Sequence, residues 1–89
     1  MYNAELIKKE IEKYLANKEQ GTEKFVIKYG HTANLTAVTV ELYAKFLDKD
    51  DEECMDVFPT KESWTSLGFM LGEIGFTGNP HSGYEKIVK

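Results

Sequence analysis

The chain has 89 residues, 42% of them hydrophobic and 29% charged, and a formal net charge of -4. That length allows one domain with one modest core, and the composition excludes a disordered tail and leaves little room for an elaborate active-site cleft. All its strong cations are lysines, and the missing arginine is the usual bidentate reader of guanine, so a strong sequence-specific DNA reader is not expected.

The first predicted element is a helix from about Asn3 to Asn17, with Asn3 as its cap and Glu5 in the dipole-favoured first turn. Ala4, Ile7, Ile11, Tyr14 and Leu15 recur at spacings of three and four and make one apolar stripe. Such a stripe needs a cover, either the rest of this domain or a partner helix. Internal packing against Leu42, Phe46 and Leu71 is favoured, because residues 25–89 alone would have a thin core. Phe25 to Tyr29 is β-branched and aromatic, ends at Gly30, and reads as a short strand.

After a loop at HTAN, Leu35, Val38, Leu42, Phe46 and Leu47 share a helical face. The Thr- and Val-rich stretch 36–40 would also suit a strand, but the three-and-four spacing continues to Leu47 and favours a helix. The acidic run from Asp48 to Asp56 reads as a turn with a short helix, stopped by Pro59. Ser63 then caps a helix with Trp64, Leu67, Leu71 and Ile74 on its apolar face. Gly75 stands where a left-handed residue ends a helix, and Phe76 can fold back on the last turn. A turn cluster, GNPHSG, leads to a last strand from Tyr84 to Val88, which would pair with Phe25–Tyr29.

Few residues invite chemistry. An EF-hand loop begun at Asp48 would need glycine sixth and glutamate twelfth; Glu53 and Pro59 stand there, so no metal is expected. The acids Asp48, Asp50, Asp51, Glu52, Glu53 and Asp56 read as a solvated turn, or as a contact patch for a basic partner. They dominate a C-terminal part that carries net -5 over residues 34–89, against +1 over residues 1–33. His31 and His81 are far apart, and Cys54, the single cysteine, reads as a half-buried structural thiol in a reducing compartment. No catalytic or cofactor motif emerges, and an enzyme is not expected. Gly68 and Gly72, four apart, leave a bare strip on their helix, either for tight packing inside the domain or for close approach of a partner. Trp64 and Tyr84 read as core residues, or as platforms for an unpaired base.

The stretch SWTSLGFMLGEIGFTGNPHSGYEKIV resembles the small winged-helix domain at the C-terminus of primase-helicases of phages and mobile elements. The residues that carry the resemblance are Ser63, Leu67, Gly68, Leu71, Gly75, Phe76, Gly83 and Tyr84. It implies a single α+β domain: a winged-helix-like part over residues 34–89, preceded by an added helix and strand over residues 1–30. It also implies an accessory role in replication, by docking on a protein and by weak binding of single-stranded DNA. The contact candidates are Trp64, Gly68, Gly72, His81, Tyr84 and Lys86. The helix that would read DNA offers no cation between Lys61 and Lys86, and the wing offers only His81, which favours a protein partner over nucleic acid. The alternatives are a small acidic inhibitor that blocks a nucleic-acid-binding surface of a host or defence enzyme, and a winged-helix regulator. No ~18-residue apolar run is present to cross a membrane, and the charged opening MYNAELIKKEIEK predicts no signal peptide, so a cytoplasmic location is expected. Oligomeric state is left open.

Overall fold

Asn3 and Ser63 start the two helices as expected. In the computed structural model, which describes residues 1–17, 21–31 and 38–88, the Asn3 side chain accepts the Leu6 N–H and opens α1 (Ala4–Ala16). The Ser63 hydroxyl accepts the Ser66 N–H and opens α2 (Trp64–Glu73). Between and after them run β1 (Thr22–His31), β2 (Val38–Phe46), β3 (Glu52–Thr60), β4 (Thr77–Asn79) and β5 (Gly83–Ile87). They form one antiparallel sheet in the order β3-β2-β1-β5-β4, so the described residues make an α+β fold of two helices and five strands. The expected pairing of the first and last strands is present, with Phe25 opposite Lys86 and Ile27 opposite Tyr84.

Both helices cover one face of this sheet. Ile7 and Ile11 of α1 and Leu67 and Leu71 of α2 are fully buried against Ile27, Val40, Leu42 and Phe58. Each such side chain contributes about 1.5–3 kcal/mol on leaving water. Ala4, Tyr14 and Leu15 complete the predicted stripe as partly buried neighbours, so the α1 stripe is satisfied within the domain. Glu62 ties the two helix starts together, because its carboxylate accepts the Ala4 N–H at 2.7 Å.

Two expectations for the middle of the chain are overturned. The helix proposed over residues 34–47 is β2 from Val38 onward; Asn34 to Ala37 lie outside the described residues. Val40, Leu42 and Ala44 point into the core while Thr39, Glu41, Tyr43 and Lys45 point away, a period of two set by pairing with strands on both sides. Of the acidic segment, Asp48 to Asp51 form the expected turn, but Glu52 to Asp56, where a short helix was expected, belong to β3, and Pro59 lies inside that strand. β3 is an edge strand, and Pro59 turns its carbonyl outward to accept the Tyr2 N–H at 2.9 Å. Its missing N–H therefore also faces outward and costs the ladder nothing. The order helix-helix-helix expected from residue 34 to 76 is thus strand-strand-helix. His31 ends β1, where a loop was expected; residues 32–34 of that loop lie outside the described residues.

The end of α2 is as expected. Phe76 N–H reaches Leu71 O at 2.9 Å and Gly75 N–H reaches Gly72 O at 3.1 Å, the two bonds of a Schellman cap. Gly75 has φ +91°, and a Cβ there would run into the Lys86 ammonium. Gly75→Val should destabilise the fold by about 1–3 kcal/mol, read as a lower midpoint in urea denaturation. An unchanged midpoint would show that this cap is not required.

Candidate functional site

α2 and the β4–β5 hairpin enclose an open groove of about 720 Å³. Three of the sequence candidates meet in it: Trp64, Gly68 and Tyr84. Trp64, at the first turn of α2, lies over Tyr29 with ring centroids 5.5 Å apart, and Tyr29 in turn lies 5.9 Å from Tyr84. Trp64 and Tyr84 line the groove, and Tyr29 packs against both rings. Tyr84 is buried, and its hydroxyl would stand 2.9 Å from a Cβ placed on Gly68. Glycine at 68 therefore serves packing inside the domain, with Tyr84 as its neighbour. Tyr84 has little surface left to stack on a base.

The other candidates are dispersed. Gly72 is exposed, and a Cβ there would meet nothing. His81 is exposed in the hairpin turn, where the Asn79 side chain accepts the His81 and Ser82 N–H groups at 2.9 Å and holds the turn's shape. Lys86 is half-buried, and its ammonium lies against Gly75 at the C-terminal end of α2, where the helix dipole favours a cation. Its place is structural.

Phe69 was not among the candidates, yet it lines this groove and is 73% exposed. The signal was present: Phe69 lies off the Trp64, Leu67, Leu71, Ile74 stripe, so a large apolar side chain had no place in the core. Among the described residues no charged side chain lines the groove.

The predicted acidic patch is divided. Asp48, Asp50 and Asp51 are exposed at the β2–β3 turn. Glu53 is bound by Lys49 at 2.6 Å, and Glu52 by Lys28 at 3.0 Å on the sheet's outer face. Asp56 faces α1, where it accepts the Tyr14 hydroxyl at 2.9 Å. Cys54, expected to be half-buried, is exposed on β3. Among the described residues no cluster of His, Cys, Asp or Glu is placed to hold a metal ion.

The outer sheet face is covered by paired charges. Lys24 meets Glu85 at 3.3 Å, Lys45 meets Glu23 at 3.5 Å, and Lys28 also lies 4.8 Å from the Tyr43 ring centre. Tyr43 donates to Glu41 at 2.8 Å, and this bond to a carboxylate pushes its phenol up to about 12. Burial, with Tyr84 beside it, raises Tyr29 further.

No protein-family model, curated protein or solved structure matches the chain.

The Tyr43 bond has a measurable consequence. The unfolded phenol loses its proton near 10.0, while the folded one holds it to about 12. Between those values the folded state keeps a proton that the unfolded state has lost, so this contribution to stability falls as pH rises. Ultraviolet titration should show a phenol ionising near 12 that returns toward 10 in Glu41→Gln; an unaltered titration would remove the bond from the account.

Proposed function

We propose that this protein is a non-enzymatic docking module that seats an apolar segment of a protein partner in the groove between α2 and the β4–β5 hairpin. The observation that carries this reading is Phe69, mostly exposed on a folded helix beside an uncharged groove. Contiguous apolar surface on a small domain marks an interaction site. Burying Phe69 against a partner would contribute about 1.5–3 kcal/mol. The partner class rests on the resemblance of residues 63–88: helix, glycine turn, then hairpin is the order of the winged-helix domain in phage and mobile-element primase-helicases. On that resemblance, the winged-helix kinship included, the partner is a replication protein and the setting is the cytoplasm.

Single-stranded DNA is at most a weak ligand in this reading. Lys8, Lys13, Lys24, Lys28, Lys45 and Lys49 are each within 4.0 Å of a carboxylate, which leaves few cations to displace counterions from phosphate. A second reading has its own support. Asp48, Asp50 and Asp51 project from the β2–β3 turn with no lysine paired to them among the described residues, as a small acidic inhibitor of a nucleic-acid-binding surface would require.

A photo-crosslinker at position 69, used in cells of the source organism, distinguishes the two. Recovery of a replication protein, lost in Trp64→Ala, is the expected result. Recovery of a nuclease or defence enzyme, captured from position 50 instead, would replace docking with inhibition. Phe69→Ser should keep the unfolding free energy within about 0.5 kcal/mol, since it touches a surface side chain.

Titration with single-stranded and duplex oligonucleotides at about physiological salt should show binding no tighter than micromolar. Nanomolar affinity for one duplex sequence would restore the regulator.

A further inference from the structure

We infer that a second docking surface lies at the other end of the helix layer: an apolar trough with an acidic rim that takes a basic amphipathic segment of a protein. Its floor is Phe25, Ala44 and Phe46 beneath the last turns of α1, and it continues to Leu47 and Met55 at the β2–β3 end. The part beneath α1 is a half-open pocket of about 370 Å³, within the range of pockets that hold a ligand or an anchor side chain.

The trough exists for a structural reason. Ile11 is the last residue of α1 to be fully buried, and among the described residues of α1 beyond it Tyr14 and Leu15 are partly buried against the core. A bulge opposite Leu42 and Tyr43 adds Met55 to β3 without a partner in β2 and leaves that side chain exposed. The floor is therefore apolar, open and built on strands.

Charge selects the occupant. Glu10, Asp48, Glu53 and Asp56 stand on the lining against Lys13 and Lys49. Lys13 is taken by Glu10 at 2.7 Å, and Lys49 by Glu53. Asp48 has no cation among the described residues, and Asp56 has only hydrogen bonds, from the Tyr14 hydroxyl and the Val57 N–H. Among the described residues, the rim thus carries four carboxylates against two lysines over an apolar floor. An anionic partner, whether nucleic acid or acidic lipid, is repelled. A segment that presents leucine or phenylalanine beside lysine or arginine satisfies both parts.

The edge of the sheet also limits how that segment binds. Pro59 has no N–H, its carbonyl is held by Tyr2, and the Val57 N–H is held by Asp56. Strand addition along β3 is blocked there, so the segment enters through side chains, as a helix face would.

The test uses the full chain, labelled with ¹⁵N, and two synthetic amphipathic peptides of about two helical turns or more, one of leucine and lysine, the other of leucine and glutamate. The leucine–lysine peptide should shift the amides of Phe46, Leu47 and Met55, leave Trp64 fluorescence unchanged, and bind about tenfold tighter than its acidic counterpart. Asp48→Lys should weaken it about fivefold, the upper range for one exposed pair, and Met55→Lys by about tenfold through loss of apolar contact and added repulsion. Both positions are exposed, so folding is preserved. Equal affinity for the two peptides, or unchanged affinity in both variants, overturns the trough. Shifts gathered at Trp64 and Phe69 overturn it too, and leave the groove reading standing.

Discussion

Two helices must cover one face of a five-stranded sheet. The fold depends on how they do so. Ile7 and Ile11 from α1, with Leu67 and Leu71 from α2, fill the centre of that face over Ile27, Leu42 and Phe58. In a chain of this size the fraction of surface buried is small, and a few fully buried side chains decide whether the domain is stable. The capping bonds are subordinate to this contact. Asn3, Glu62 and Ser63 fix where the helices start, and the Gly75 cap fixes where α2 stops, so that the four buried residues arrive together.

The opposite face is held by polar groups. Val26 is buried there although no helix covers it, in register with Tyr43 and Glu85. Around it Lys24, Lys28 and Lys45 are each paired with a carboxylate. Exposed ion pairs of this kind contribute little stability each. Their larger physical effect is to pair cations with carboxylates, so that fewer of them can displace counterions from a phosphate.

Both helices were legible in the sequence, down to their caps, because capping chemistry and the apolar stripe are local signals. β2 and β3, the two strands at one end of the sheet, were not. In β2 the residues Val38, Leu42 and Phe46 fall four apart by coincidence, and that spacing outweighed the alternation of Val40, Leu42 and Ala44 with Glu41, Tyr43 and Lys45. Pairing with β1 and β3 decides the matter, and a single sequence does not display it. In β3 the acids conceal a strand whose core side needs only Asp56, Phe58 and Thr60, and the bulge at Met55 breaks what alternation there is. Pro59 looked like a stop; on an edge it is compatible with the strand. Of the sequence candidates, Trp64, Gly68 and Tyr84 converge on one groove, whereas Lys86 lies apart from it, against Gly75 at the end of α2. Phe69 lies off the apolar stripe of α2, so the helical periodicity that marks the core does not mark it.

The two candidate surfaces share one origin. Two helices of 13 and 10 residues cannot cover five strands to their margins, and each leaves the sheet incompletely covered on its own side. Beside α2 the gap is lined by aromatic rings and glycines without charge. Beyond α1 it is lined by Phe25, Phe46 and Met55 under an acidic rim. The same small core that takes Ile7 and Ile11 from α1 therefore leaves apolar openings at both ends of its helix layer. If both openings dock protein segments, as proposed above, their different rims would select different ones, because apolar contact gives affinity to either while charge decides which segment each accepts.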